Sequence, residues 1–113
     1  LEDGVWVLDA ADGRIEDAND AAARQLGADR APTGRSFAEV LVPPLSAEGW
    51  RLLVDQIPGG DAAHRLTVSL RRADDTIVPA QVVLRRGEVP VQVPPGTEPR
   101  TRSVVLAVTR DLA

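Results

Sequence analysis

The sequence predicts an α+β domain, an antiparallel sheet of five strands with short helices packed on one face. Three observations carry this. The last third of the chain alternates apolar and polar residues with a period of two, as half-buried antiparallel strands do. The first eighteen residues read as a hairpin around Asp12-Gly13, since Gly tolerates positive φ and Asp can bond its own backbone. Between these, residues 19–60 carry helix caps and helical spacing but are broken repeatedly by Pro and Gly, so the helices there are short. Strands at both ends with helices between them separate this order from an alternating α/β chain.

In chain order, residues 4–9 (Gly-Val-Trp-Val-Leu-Asp) form the first strand and residues 14–18 the second. Asn19 caps a helix of good formers from Asp20 to Leu26, with Ala22, Ala23 and Leu26 as its apolar stripe and Gly27 as its stop. Residues 28–44 read as short turns punctuated by Pro32, Gly34, Pro43 and Pro44, with Ser36 capping one that aligns Phe37, Val40 and Leu41. Ser46 opens a longer helix to Ile57 with Trp50, Leu53, Val54 and Ile57 on one face, ended by Pro58-Gly59-Gly60-Asp61.

From His64 to Leu70 the apolar positions are Leu66, Val68 and Leu70, and a turn at Asp74-Asp75 leads to a strand over 77–85 with Ala80, Val82 and Leu84 on one face. The final strand, 103–110, is expected to turn Val104, Leu106 and Val108 to the core and Val105, Ala107 and Thr109 away from it. Residues 87–100 contain Pro90, Pro94, Pro95 and Pro99 beside alternating Val89, Val91 and Val93, so the strand can run on outward to a Pro-Pro-Gly turn. The segment reads equally as a mobile lid, a partner-binding edge or an extended hairpin; valines beside prolines suit an edge that resists strand addition.

Composition excludes several classes. A chain of 113 residues, 43% hydrophobic and 27% charged, is one globular domain. No apolar run approaches the roughly 20 residues of a spanning helix, so no membrane contact is expected. The absence of cysteine removes disulfides, thiolate metal sites and cysteinyl–flavin chemistry, and a single histidine, His64, disfavours zinc and haem sites. A net charge of −4 argues against nucleic acid. With no activated nucleophile, His–carboxylate pair or metal cluster, the chain is expected not to be an enzyme. It has no methionine, even at position 1, and no secretory signal, so the expectation is a cytoplasmic domain of a longer protein.

Four segments in order resemble the PAS family. They are Val7-Leu8-Asp9-Ala10-Ala11-Asp12-Gly13-Arg14-Ile15 with the following Ala18-Asn19; Gly34-Arg35-Ser36-Phe37 leading to Leu41-Val42-Pro43; the hairpin Leu70-Arg71-Arg72-Ala73-Asp74-Asp75-Thr76 with Pro79; and the exit Val108-Thr109-Arg110-Asp111-Leu112-Ala113. Departures are an extra Ala in the first turn, Asp75 where the family prefers Gly, a longer 87–100 connection, and Ala113 where the family prefers Thr. The resemblance implies a sheet in the order 2-1-5-4-3 and a bacterial sensory or interaction module regulating a downstream output domain of the same chain, by ligand- or partner-induced population shift. The alternative is a ligand-free PAS scaffold for dimerisation or spacing.

The resemblance also gives candidate sites. The inward apolar positions Trp6, Leu8, Leu26, Phe37, Leu41, Trp50, Leu53, Val82, Leu106 and Val108 line the expected pocket region, or are plain core. Trp6, directed toward the helices and Trp50, is either a stacking platform for a flat ligand or a filler of the cavity. No cofactor is expected, and haem is disfavoured further because haem-binding members ligate iron from the long helix, which here has no histidine. Asn19 reads as a helix cap, and Asp74 and Asp75 as a solvated turn. Val5, Val7, Val83, Val105 and Ala107 are expected on the outer sheet face, an apolar patch that predicts a homodimer.

Overall fold

The computed structural model describes residues 3–29, 33–60 and 62–112. Leu1, Pro32, Asp61 and Ala113, which the sequence places in a terminus, a turn, a helix stop and the exit, lie outside the described residues. The elements are β1 (Gly4–Asp9), β2 (Ile15–Ala18), α1 (Asp20–Gln25), α2 (Phe37–Val40), β3 (Leu41–Val42), α3 (Ala47–Asp55), β4 (His64–Arg71), β5 (Ile77–Val91) and β6 (Arg100–Asp111). They form one antiparallel sheet in the order β2-β1-β6-β5-β4-β3. This is the expected order with one strand added, because the two residues of β3 attach to the far edge.

Local chemistry sets the helix ends. The Asn19 side chain accepts hydrogen bonds from the N–H of Ala22 (2.9 Å) and of Val5 (3.0 Å), so it caps α1 and ties it to β1. At the other end Ala28 N–H bonds Ala23 C=O and Gly27 N–H bonds Arg24 C=O, with Gly27 at φ 69°, a Schellman ending. Ser36 caps α2 through Ala38 N–H, and Ser46 caps α3 through Gly49 N–H at 3.0 Å. The β4–β5 turn places Asp75 at φ 67°, where Gly is otherwise preferred. Asp74 accepts from the Thr76 N–H and hydroxyl, and these bonds hold its carboxyl below the usual carboxylate range.

The core lies between the sheet and the helices. Trp6, Leu8, Ile15, Ala22, Phe37, Trp50, Leu70, Val82, Leu84, Val105 and Ala107 are buried in it. Trp6 packs edge-on against Phe37, with ring centroids 5.2 Å apart. Trp50 donates its indole N–H to the Ala10 carbonyl (3.0 Å), and its ring covers Gly13, where a Cβ would come within 3.1 Å.

The structure corrects the facing of β6. Val105, Ala107 and Thr109 point inward and are fully buried, whereas Leu106 is 38% exposed and Val108 half-buried on the outer face. The register fixes this: Trp6 stands opposite Ala107 and Leu8 opposite Val105, and residues opposite one another share a face. Leu106 and Val108 are therefore not pocket-lining, and Val105 and Ala107 do not belong to the outer patch.

Beyond Leu84, the last β5 residue paired with β4, and Asp9, the last β1 residue paired with β6, strands β5 and β6 continue as a two-stranded arm. Its last pair is Val91 with Arg100. The tip is a turn in which Thr97 N–H bonds Pro94 C=O (3.1 Å) around Pro95-Gly96, with Gly96 at φ 83°, as a type II turn requires. The strand therefore runs out as an extended hairpin. Arg102 folds back from the arm onto Glu16 in a two-bond ion pair and lies 3.7 Å from Asp9.

Candidate functional site

Two surfaces stand out. The first is a cleft of about 480 Å³ between α3 and the β3–β4 edge. Pro43-Pro44 turn the chain away from the sheet after β3, and Leu45 N–H bonds Ala38 C=O (3.1 Å), setting where α3 begins. Trp50, Val54 and Ile57 anchor the helix on its core side. Leu52, 59% exposed, and half-buried Leu53 are left to form one wall. The opposite wall is Leu66 and Val68 of β4, half-buried where Leu70 further along is sealed. Gln56, Thr67 and Ser69 supply side-chain polarity, and among the described residues no charged one lines the cleft. Such a space accepts an uncharged, mostly apolar occupant.

The expected pocket residues divide. Leu41 and Leu53 line this cleft. Trp6, Leu8, Phe37, Trp50 and Val82 are sealed in the core and do not line it, and the indole of Trp6 is packed and bonded rather than offered to a ligand. Leu26, also buried, borders a smaller polar hollow beside Arg35, Glu39 and Arg72. His64 opens β4 and is half-buried, opposite Leu84.

Two polar arrangements escaped sequence reasoning. Trp6 donates its indole N–H to the Thr109 hydroxyl (2.9 Å), that hydroxyl donates to the Gln25 carbonyl oxygen, and the Gln25 amide donates to the Thr109 carbonyl (3.0 Å). This buried network joins α1, β1 and the end of β6. Gly4 gives it room, since a Cβ there would collide with the Thr109 hydroxyl and the Gln25 side chain. The available signal was a polar Gln inside an Ala-rich helical stripe. Separately, Arg86 donates to the carbonyls of Ile57 (2.9 Å) and Val54 (2.7 Å), closing the C-terminus of α3 from β5.

The second surface is the outer sheet face. Val5 (44% exposed) and Leu106 stand on it with half-buried Val7, Val83 and Val108. The Arg102–Glu16 pair and the Arg110–Asp3 pair (3.3 Å) are its charged neighbours. Among the described residues no group of carboxylates and histidines is placed to hold a metal ion, and no helix is long and apolar enough to cross a membrane.

The family model for the PAS fold matches residues 1–86, and the chain belongs to that family. Its structure is similar to the PAS domain of an HTR-like protein from Haloarcula marismortui, with TM-score 0.76 and 26% identity over 97% of this chain and 81% of that one. It is also similar in fold to a PAS domain from Desulfitobacterium hafniense, with TM-score 0.69 and 23% identity over 99% of this chain and 94% of that one. No curated protein matches the sequence. PAS domains are sensory and interaction modules and typically not enzymes. This class accords with a site built of apolar walls rather than of paired titratable groups.

Proposed function

We propose that this domain is a cytoplasmic interaction module of a bacterial signalling protein, which regulates an output domain of the same chain by shifting between two packings. The observation that carries this reading is the cleft, walled by β4 and by α3, which Trp50, Val54 and Ile57 anchor on the core. An occupant there that favours one placement of α3 biases the position of the core beneath it, and binding shifts the population by its differential affinity. Trp6, Phe37 and Trp50 fill the interior, so an occupant binds in the cleft and not among the aromatics. That filled interior also favours the second reading, a scaffold without a ligand that serves dimerisation or spacing.

Both readings use the outer sheet face as a homodimer interface. Its apolar residues are Val5, Val7, Val83, Leu106 and Val108, the last two replacing Val105 and Ala107. Sedimentation equilibrium of the wild type and of Leu106→Glu tests this. The expected result is a dimer that the substitution converts to a monomer without loss of the folded circular dichroism spectrum. A wild type that stays monomeric at high micromolar concentration defeats the interface. An occupied cleft beside a monomeric protein would leave sensing intact and remove dimerisation.

A further inference from the structure

We infer that the cleft is a docking site for an extended peptide segment, which adds to the sheet as a strand along β4. The inference rests on the reading of the cleft as the binding site and names the occupant's class.

Backbone directions carry the argument. Leu112 N–H bonds the Pro79 carbonyl (3.0 Å), so Pro79 directs its carbonyl toward β6. Successive strand residues direct their N–H and C=O to opposite sides. Val78 and Ala80 accordingly turn theirs to β4, where they stand opposite Leu70 and Val68. It follows that Ser69, Thr67 and Arg65 direct theirs away from β5. Ser69 meets β3 at Val42, whereas Thr67 and Arg65 meet no strand among the described residues. The edge is therefore open from Val68 back to His64, a length of about 17 Å at ~3.3 Å per residue.

The cleft opens at this edge. Its lining takes both the inward Leu66 and Val68 and the outward Thr67 and Ser69, which a cavity confined to one face of the sheet would not do. A segment continuing the line of β3 would bond the N–H and C=O groups of Thr67 and Arg65. Every second side chain would enter the space between Leu66, Val68, Leu52 and Leu53. Backbone bonds then supply affinity and the uncharged slot selects apolar side chains at alternate positions. A helix or a compact small molecule fills the slot but leaves the edge unpaired.

The open side of β5 along the arm shows the contrast. Along the arm, Arg86, Glu88 and Pro90 direct their backbone groups to the open side of β5 by the same alternation. Pro90 has no N–H to offer there, a device that discourages strand addition. The β4 edge has no proline between His64 and Arg71.

The test is a selection of short random peptides displayed on phage against the folded domain, followed by binding measurements with the selected peptides. Variants are Thr67→Pro, which removes one outward N–H while sparing the β4–β5 ladder, and Leu52→Glu at an exposed wall position. Leu106→Glu, on the far face, is the comparison. The expected peptides alternate apolar residues, and each of the first two substitutions weakens them about tenfold or more, as the loss of a ladder bond or an apolar contact predicts. Leu106→Glu leaves binding unchanged, and the bound peptide slows amide exchange at Arg65 and Thr67. The inference is overturned if no peptide is selected. It is equally overturned if the selected peptides bind as helices, tolerate Leu52→Glu, or leave those amides exchanging freely. Because dimerisation is read on the opposite face by Leu106→Glu, failure of peptide docking and failure of the dimer are separate results.

Discussion

Thr109 stands where three chain segments exchange hydrogen bonds: its hydroxyl takes the Trp6 indole N–H and gives to Gln25, whose amide returns to the Thr109 carbonyl. All of this is out of water, so each bond replaces one that the unfolded chain makes with solvent, and its net worth is modest. Leaving a member without its partner is costly. Thr109→Val keeps the shape but orphans the Trp6 N–H and the Gln25 oxygen, which predicts a loss of about 2–4 kcal/mol. Urea unfolding checks it: the midpoint should fall with the slope unchanged. A midpoint equal to wild type would mean that the network holds nothing. Asp75 shows the opposite balance at a single residue. Its left-handed backbone is tolerated because Asp, with Asn, visits that region more readily than other residues with side chains.

At the scale of elements, the legible parts were those with local chemistry. Asn19, Ser36, Ser46, Gly27 and the Pro-Pro-Gly tip each announce a boundary through a bond their own residue type makes, and each stands where the sequence puts it. The inward face of β5, Ala80, Val82 and Leu84, was also legible, because hydrophilic residues interrupt it on at least one flank. Strand β6 was not. Val104 to Val108 is apolar on both faces, and a two-residue period then has no preferred phase. The choice is made by partners distant in sequence: Gly4 leaves space opposite Thr109, and Trp6 and Gln25 bond it. Strand β3 escaped because two residues carry no period at all. The candidate site was legible only in Leu41 and Leu53, since the cleft arises from how far α3 stands off β4, which no local pattern encodes.

Arg86 belongs to the same scale. It closes α3 by two bonds to carbonyls that the helix cannot satisfy itself, and so fixes the end of the helix that walls the cleft. Arg86→Ala should cost about 1–2 kcal/mol, the range for bonds from a charged donor at a partly solvated helix end. Amide exchange should rise selectively at Gln56 and Ile57. Arg86→Lys, which cannot span both carbonyls with one planar group, should restore less than half of the loss.

The whole molecule measures 49 × 29 × 26 Å, and a long arm is attached to a compact body. None of the core residues comes from the arm between Glu88 and Ser103. An isolated two-stranded hairpin is marginal in water, so this one depends on the body for its order and returns little to it. Joining Val89 to Arg102 through Asn-Gly in place of residues 90–101 keeps the Arg102–Glu16 pair and supplies a two-residue turn. The shortened protein should unfold cooperatively with a stability change under about 1 kcal/mol. Loss of a cooperative transition would show that the arm is part of the folding unit.

The two tryptophans give the molecule an optical property of its own. With no tyrosine and one phenylalanine, its near-ultraviolet emission comes from Trp6 and Trp50. Both rings are shielded from water, one bonded to the final strand and the other to the first turn. Each therefore reports a different end of the domain, and replacing either one by phenylalanine leaves a single-colour probe of the other. A titration that moves α3 would be seen first through Trp50, and one that disturbs the exit strand through Trp6, without a dye or label being attached.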